Sequence, residues 1–167
     1  MQFKRALIRF LIFAMMGLLL EVFGGAFHDL KALDWDLRGS TSPWMMFDYG
    51  LFGLILMPVA NPLKRWGIPL PVRAFVYMLM IFFVEYASGC IFHFGMGIWV
   101  WDYSDLPYNL HGQIAAAFIP TWYFLGLVGE YLYARVDACA VTLTRGLRAE
   151  QLERLEPEPV KEASAPA

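Results

Sequence analysis

The chain has 167 residues, 59% hydrophobic and 17% aromatic, with 17% charged and a mean hydropathy of +0.49. Soluble domains run at roughly 45–50% apolar and about 25% charged, so this composition excludes an ordinary soluble domain and points to the membrane. A net charge of −2 says nothing as a total, and the absence of a basic, aromatic-interleaved patch excludes nucleic acid as a partner.

At about 20 residues per crossing, the length admits four helices, a short tail and no second domain. The first apolar run is Ala6 to Phe27, behind Lys4 and Arg5, with Arg9 near its start and Glu21 inside it. It is longer than the roughly 7–15-residue apolar core of a signal peptide and lacks a small-x-small site after it, so it reads as a retained helix. A polar segment, His28 to Pro43, follows and carries Trp35-Asp36. The second run, Trp44 to Ala60, has Asp48 near its start and Pro58 near its end. The stretch from Asn61 to Pro71 reads as a loop, because its prolines and glycine stop helices on either side.

The third run is Val72 to Gly95, with Arg73 at its edge and Glu85 deep within. A loop, Met96 to Gln113, holds the string WDYSDLPYNLHG, which reads as an ordered turn of Asp, Ser, Pro and Gly. The fourth run, Ile114 to Ala134, contains Pro120 and ends near Glu130. The expected fold is all-α integral membrane: a four-helix domain over 1–134 with spans of about 6–27, 44–60, 72–95 and 114–134. Residues 135–167 read as a cytoplasmic tail, helical at first and then disordered through EPEPVKEASAPA.

Lys and Arg set the expected orientation. Lys4, Arg5 and Arg9 precede the first span; Lys64, Arg65 and Arg73 fill the central loop; Arg135, Arg145 and Arg148 open the tail. The other two loops are acidic on balance. The positive-inside rule then puts both termini in the cytoplasm of a plasma (bacterial inner) membrane. Trp99, Trp101, Tyr103 and Tyr108 suit the outer interfacial belt.

The halves also match each other. Eleven apolar or small residues separate Arg9 from Glu21, and eleven separate Arg73 from Glu85. His28 and His93 follow the two glutamates, then Trp35-Asp36 and Trp101-Asp102, and the second helices share Gly50/Gly53 and Gly126/Gly129. With two spans in each copy, this is a parallel internal repeat, two plus two, about an axis along the membrane normal. Twelve residues of helix rise about 18 Å, which sets both glutamates a little past the midplane of a core about 30 Å thick.

An intramembrane acid is a functional-site candidate by default. No Lys or Arg shares the depth of Glu21 or Glu85, which leaves them protonated, sharing a proton, or neutralised by an external cation. The structural alternative is a protonated Glu bonded to a neighbouring helix, worth about 1 kcal/mol. Asp48 and Glu130 lie near helix ends and read as reaching the interface.

His28, His93 and His111 with Asp36 or Asp102 match no metal-ligand spacing, so no metal or cofactor is assigned. Ser104, His111 and Asp102 supply the parts of a hydrolase triad without its spacing. Cys90 and Cys139 form no disulfide framework, and no phosphate loop or dinucleotide fingerprint is present. The small residues Gly17, Gly24, Gly25, Ala87, Ser88, Gly89, Gly126 and Gly129 read as packing positions.

Glu85-Tyr-Ala-Ser-Gly89, Trp101-Asp-Tyr-Ser104, Asn109 and Gly112-x-Ile114 form a pattern, and Gly17-x-x-x-Glu21, Thr41-Ser42-x-Trp44 and Tyr49-Gly50 match it in the first half. Over residues 10 to 134 this resembles the bacterial family labelled putative ABC-transporter type IV (CmpB-like) and the related vertebrate transmembrane-protein-229 family. His111 and the apolar Ala115 to Ala117 depart from the bacterial pattern. The resemblance implies a small polytopic membrane protein and makes Trp101, Asp102, Tyr103, Ser104, Asn109 and Gly112 candidates for an outer-loop site.

Three readings follow. The first is a transporter or transporter subunit with a proton- or cation-linked site at Glu21 and Glu85. The second is a non-catalytic membrane scaffold or accessory subunit with structural glutamates. The third is a lipid- or envelope-modifying enzyme using the outer-loop acids. Membrane lipid, a second copy or a partner membrane subunit are the expected partners.

Overall fold

The apolar runs become four long helices, linked by two loops at one end and a tight turn at the other. The computed structural model describes residues 2–31 and 35–154, the side chains of 28–31 excepted. Helix α1 spans Gln2–Lys31, α2 Met45–Arg65, α3 Leu70–Cys90, α4 Ile119–Arg145 and the short α5 Ala149–Glu153. A π turn, Ile91–Gly95, extends α3. Asp34 and the segment EPEPVKEASAPA lie outside the described residues.

Several boundaries differ from the sequence reading, and two of these differences bear on the loops. Helix α2 does not stop at Ala60 but runs through Pro58 and Pro62 to Arg65. Each proline removes its own N–H from the ladder and crowds the carbonyl one turn back, yet the chain beyond still bonds back, Trp66 N–H to the Pro62 carbonyl at 3.0 Å. What ends the helix is Gly67, at a φ of +68° that suits a left-handed cap. Pro71 then sits in the first turn of α3, where a missing N–H costs nothing.

The second difference is at α4, which begins at Ile119 rather than Ile114. Strand β2, Ile114–Ala115, pairs antiparallel with β1, Asn109–Leu110, so that Asn109 faces Ala115 and Leu110 faces Ile114. A 3-10 turn, Ala116–Phe118, leads into α4, with Pro120 in the helix's first turn. The far end of α4 runs unbroken past Ala134 to a left-handed Gly146 (φ +64°).

Three helical segments, Gln2–Phe27, Met45–Arg65 and Leu70–Gly95, are long and apolar enough to cross a membrane. The chain is a helical membrane protein. Helix α4 equals them in length, but Glu130, Arg135 and its tyrosines dilute its apolar run.

The most extensive packing joins α1 to α2 and α3 to α4, and α1 against α4 closes the bundle. Phe13, Leu56, Ala60, Tyr77, Tyr133 and Val136 form the buried core. Glycines give the close approach that helix pairs in lipid rely on: Gly50 lies against Phe10, Gly53 against Phe13, Gly126 against Tyr77 and Gly129 against Phe52.

Below the core, charges pair between helices. Asp137 of α4 accepts from Arg5 Nε at 2.7 Å and from Arg9 Nη1 at 2.9 Å. Glu130 does not reach the interface freely. It accepts from both arms of Arg73, at 2.9 and 2.7 Å, from Lys64 at 3.0 Å and from the Tyr77 hydroxyl at 2.5 Å.

Candidate functional site

Twelve residues up α1 from Arg9, Glu21 meets the first loop and the start of α2. Tyr49 donates to its Oε1 at 3.0 Å and the Thr41 hydroxyl donates to Oε2. Glycine spacing makes this possible. One turn before Glu21, the Tyr49 ring occupies the space a Gly17 side chain would take, and one turn after it the loop backbone at Gly39 comes within 3.1 Å of a Cβ placed on Gly25.

Gly17→Ala is therefore expected to lower the melting temperature by several degrees, at an overpacking cost of about 1–3 kcal/mol. Gly24 faces open space, so Gly24→Ala should be neutral or slightly stabilising through helix propensity. Thermal melts of both variants check this pair, and equal effects would refute the role given to Tyr49.

Glu85 holds the matching place on α3, only 7% exposed. Tyr103 donates to its Oε1 at 3.1 Å and the Trp122 indole to its Oε2 at 3.0 Å. One turn on, Gly89 admits Gln113 and the Trp101 ring, the latter 3.0 Å from where a Cβ would stand.

Asp48 joins this layer from α2, against the Ser88 hydroxyl. That hydroxyl also lies 2.8 Å from the Val84 carbonyl. One hydroxyl carries one proton, so the pair accommodates either an ionised Asp48 that accepts or a neutral Asp48 that donates. The other carboxyl oxygen, Oδ2, is buried without a hydrogen-bond partner.

The string WDYSDLPYNLHG is what delivers Tyr103. Asp102 Oδ1 accepts the Ser104 N–H at 2.9 Å, and Asn109 ties the turn by donating to the Ser104 and Leu106 carbonyls at 3.1 and 2.8 Å. Asn109 Oδ1 accepts the Gly112 N–H at 3.0 Å, and the Gly112 carbonyl accepts the Tyr103 N–H at 2.8 Å. Trp101 donates to the Gln113 carbonyl at 2.9 Å and packs edge-on to Phe92. Hydrogen bonds from Ser104 hold the Asp102 carboxyl below its ordinary range, and burial, then Glu85, push the Tyr103 phenol up, so it stays a donor. Of the six outer-loop candidates, only Tyr103 touches a carboxylate of the cluster. The other five build the loop that holds it.

Two cavities flank the cluster. One, of about 440 Å³, is lined by Glu21, Ser40 to Ser42 and Met45 from one side and by Val100, Trp101 and Tyr103 from the other, so both loops form its walls. The second, about 100 Å³, lies among all four long helices, with Asp48 and Glu85 in its wall.

The remaining sequence candidates stand apart. The side chain of His28 lies outside the described residues. His93 packs on Trp99 with ring centres 3.6 Å apart, and His111 Nδ1 pairs with the Tyr86 hydroxyl at 2.9 Å. Asp36 forms an exposed ion pair with Arg38 at 2.6 Å. Ser104 and Asp102 bond each other while His111 pairs with Tyr86, so the three assemble no triad. Sequence reasoning missed Thr41, Tyr49, Ser88 and Trp122 as site residues, although Thr41, Tyr49 and Ser88 lay in the quoted pattern.

No solved structure matches the chain. A family model described as Putative ABC-transporter type IV matches residues 8–148. That match covers the four long helices and both loops, and with it this chain belongs to the Putative ABC-transporter type IV family.

Proposed function

We propose that the protein is a small transporter or transporter subunit of the bacterial inner membrane, with Glu21, Asp48 and Glu85 as a proton- or cation-linked site. The observation that carries this reading is the makeup of the cluster. Three carboxyl groups lie in the upper bundle, and each side-chain donor to them is an uncharged hydroxyl or indole. The recorded ion pairs of Arg5, Arg9, Lys64 and Arg73 lie at the other end. A buried acid without a protein cation is balanced by a proton or by a bound cation.

The reading takes α4 as a fourth crossing, both termini as cytoplasmic and the halves as a two-plus-two parallel repeat. Support comes from the halves themselves. Each glutamate is held by one loop hydroxyl and one aromatic donor of the following helix, with a glycine one turn beyond. The correspondence is not strict, since Trp122 stands four residues before Gly126 whereas Tyr49 stands one before Gly50. Four helices are few for a complete pathway, so a second copy or a partner subunit belongs to the proposal.

A scaffold with structural glutamates has one observation in its favour: both oxygens of Glu21 and of Glu85 are already bonded. Asp48 Oδ2 is not, and that imbalance favours a site over glue. Infrared carboxyl bands of the reconstituted protein test the choice, with Glu21→Gln, Asp48→Asn and Glu85→Gln as assignments. The expected result is a band that disappears reversibly as pH rises through neutrality or as a cation is added. Bands that stay fixed under both treatments would reject the proposal.

A further inference from the structure

We propose that the ligand of this protein is a glycolipid, with a hydrocarbon chain in the chamber among the helices and an uncharged, sugar-like head in the cavity between the loops. This names the substrate of the transporter read above and rests on that reading for what the binding serves.

The chamber has the form of a chain. Its wall runs from Met45 to Ile55 on α2 and from Trp122 to Leu132 on α4, ten residues along each, or about 15 Å of helix. A dry cavity of about 150 Å³ takes a compact benzene ring. Here about 100 Å³ is drawn out along the bundle, which suits an unbranched chain better than a ring. Phe13, Phe52, Met80, Leu125 and Val128 make the wall apolar, and a polar occupant would leave its groups unbonded there. Leu20 stands in the same wall and is 53% exposed, which puts a side opening on the bilayer at α1. A lipid chain enters there without crossing water.

The upper cavity is of the other kind. Its 440 Å³ falls within the ordinary range of small-molecule sites, about 300–1,000 Å³. Hydroxyls of Ser40, Thr41, Ser42 and Tyr103 line it beside the Trp101 ring. Thr41 and Tyr103 spend their protons on Glu21 and Glu85 and keep lone pairs to accept with. Ser42 Oγ accepts the Trp44 N–H at 3.3 Å and keeps its proton to donate, and Ser40 is exposed. Groups that donate and accept in turn match the hydroxyls of a sugar, which do the same. The indole ring offers an apolar surface for the C–H face of that sugar.

Charge decides against the other common lipid heads. The described wall holds Glu21 and no Lys, Arg or His, so a phosphate would meet a carboxyl and no counter-charge. An ammonium would turn to Glu21, whose two oxygens already accept from Thr41 and Tyr49.

The two spaces meet at Met45, which stands in both walls. Its unbranched side chain shifts at low cost, so head and chain join across it. In the orientation proposed above, the chamber lies at hydrocarbon depth and the loops at the outer interface, as the two parts of a lipid do. Thr41 and Tyr103 then tie the head to the acids, since each lines the upper cavity and donates to a carboxyl.

The test places the full chain in phosphatidylcholine nanodiscs doped equally with monoglucosyl diacylglycerol, phosphatidylglycerol and plain diacylglycerol of the same chains. Native mass spectrometry reads which lipid stays bound, and infrared carboxyl bands report Glu21 and Glu85. The glucosyl lipid is expected to be retained about tenfold over either competitor and to move the bands. Methyl glucoside, the head without a chain, should do neither. Leu20→Trp, a plug at a half-exposed position that the fold tolerates, should cut retention about tenfold. The pair Ser40→Ala and Ser42→Ala should erase the preference over plain diacylglycerol while the chain still binds.

Phosphatidylglycerol retained as well as the glucosyl lipid, or retention that ignores Leu20→Trp, overturns the proposal. So does methyl glucoside that moves the bands alone, since the ligand is then a soluble sugar. Bands that answer to pH but not to a glycolipid overturn it and spare the proton- or cation-linked reading. Selective retention with bands fixed under every treatment upholds the ligand and rejects that reading.

Discussion

Truncating Glu130 to alanine is expected to cost about 3–5 kcal/mol, the penalty for leaving a buried charge without its partner. Glu130 and Arg73 are 10% and 16% exposed, and three donors besides the second Arg73 arm converge on the carboxylate: Arg73 Nε, Lys64 and the Tyr77 hydroxyl. Lys64 is 40% exposed and turns to water when the acid is removed. Arg73 has less freedom, since Nη1 is also fixed on the Ile68 carbonyl at 2.5 Å.

The double replacement Glu130→Met with Arg73→Met should therefore recover most of the loss, because apolar residues often substitute for a buried pair at little net cost. A remainder of about 1 kcal/mol is expected from the orphaned Tyr77 hydroxyl, and adding Tyr77→Phe should remove it. Reversible unfolding in mixed micelles measures all three variants. A single mutant that loses under 1 kcal/mol would mean that the pair contributes little in the membrane.

Much of this arrangement was legible in the sequence, because membrane helices and buried acids obey strong constraints. Glu21 and Glu85 stand out against their apolar runs; Glu85 is buried and Glu21 half-buried, and each takes one donor from a loop and one from the following helix. Asp48 was weighed too lightly. Its place near the start of α2 suggested the interface, but residues 39–42 fold back over α1 and bring that first turn level with Glu21 and Glu85. Depth along one helix is read from spacing; depth relative to another depends on how the loop between them returns.

The WDYSDLPYNLHG string shows the same limit from the other side. Its composition announces an ordered turn and its residue types suggest chemistry. Only the bonds show that Asp102, Ser104, Asn109 and Gly112 spend their polar groups on one another. The apolar stretch Ile114 to Phe118 looked like helix because hydropathy does not separate a buried strand from a helical turn. The prolines of α2 misled for a related reason, since a helix loses one bond at each and continues when its neighbours hold.

Gly112 and Gly146 make the sharpest contrast between two glycines that look alike in the sequence. Both have positive φ, +68° and +64°. Asn tolerates that region better than most residues, so dihedral strain alone predicts that Gly→Asn is mild at either place. Their surroundings differ. A Cβ at Gly112 would stand 2.5 Å from Ser104 Oγ and 2.7 Å from Asp102 Oδ1, while Gly146 has nothing within 4 Å.

Gly146→Asn should thus change stability by no more than about 0.5 kcal/mol, as an alternative helix cap. Gly112→Asn should cost more than about 2 kcal/mol, because the loop must open to admit the side chain. Opening it also releases the Tyr103 N–H from the Gly112 carbonyl, and with it the phenol from Glu85. The Glu85 carboxyl band should accordingly shift in Gly112→Asn and stay in place in Gly146→Asn. If Gly112→Asn melts the protein no earlier than Gly146→Asn does, the loop is not what holds Tyr103 on the carboxylate. A large loss of stability with an unmoved Glu85 band would leave the knot as a folding device, with Trp122 alone fixing the acid.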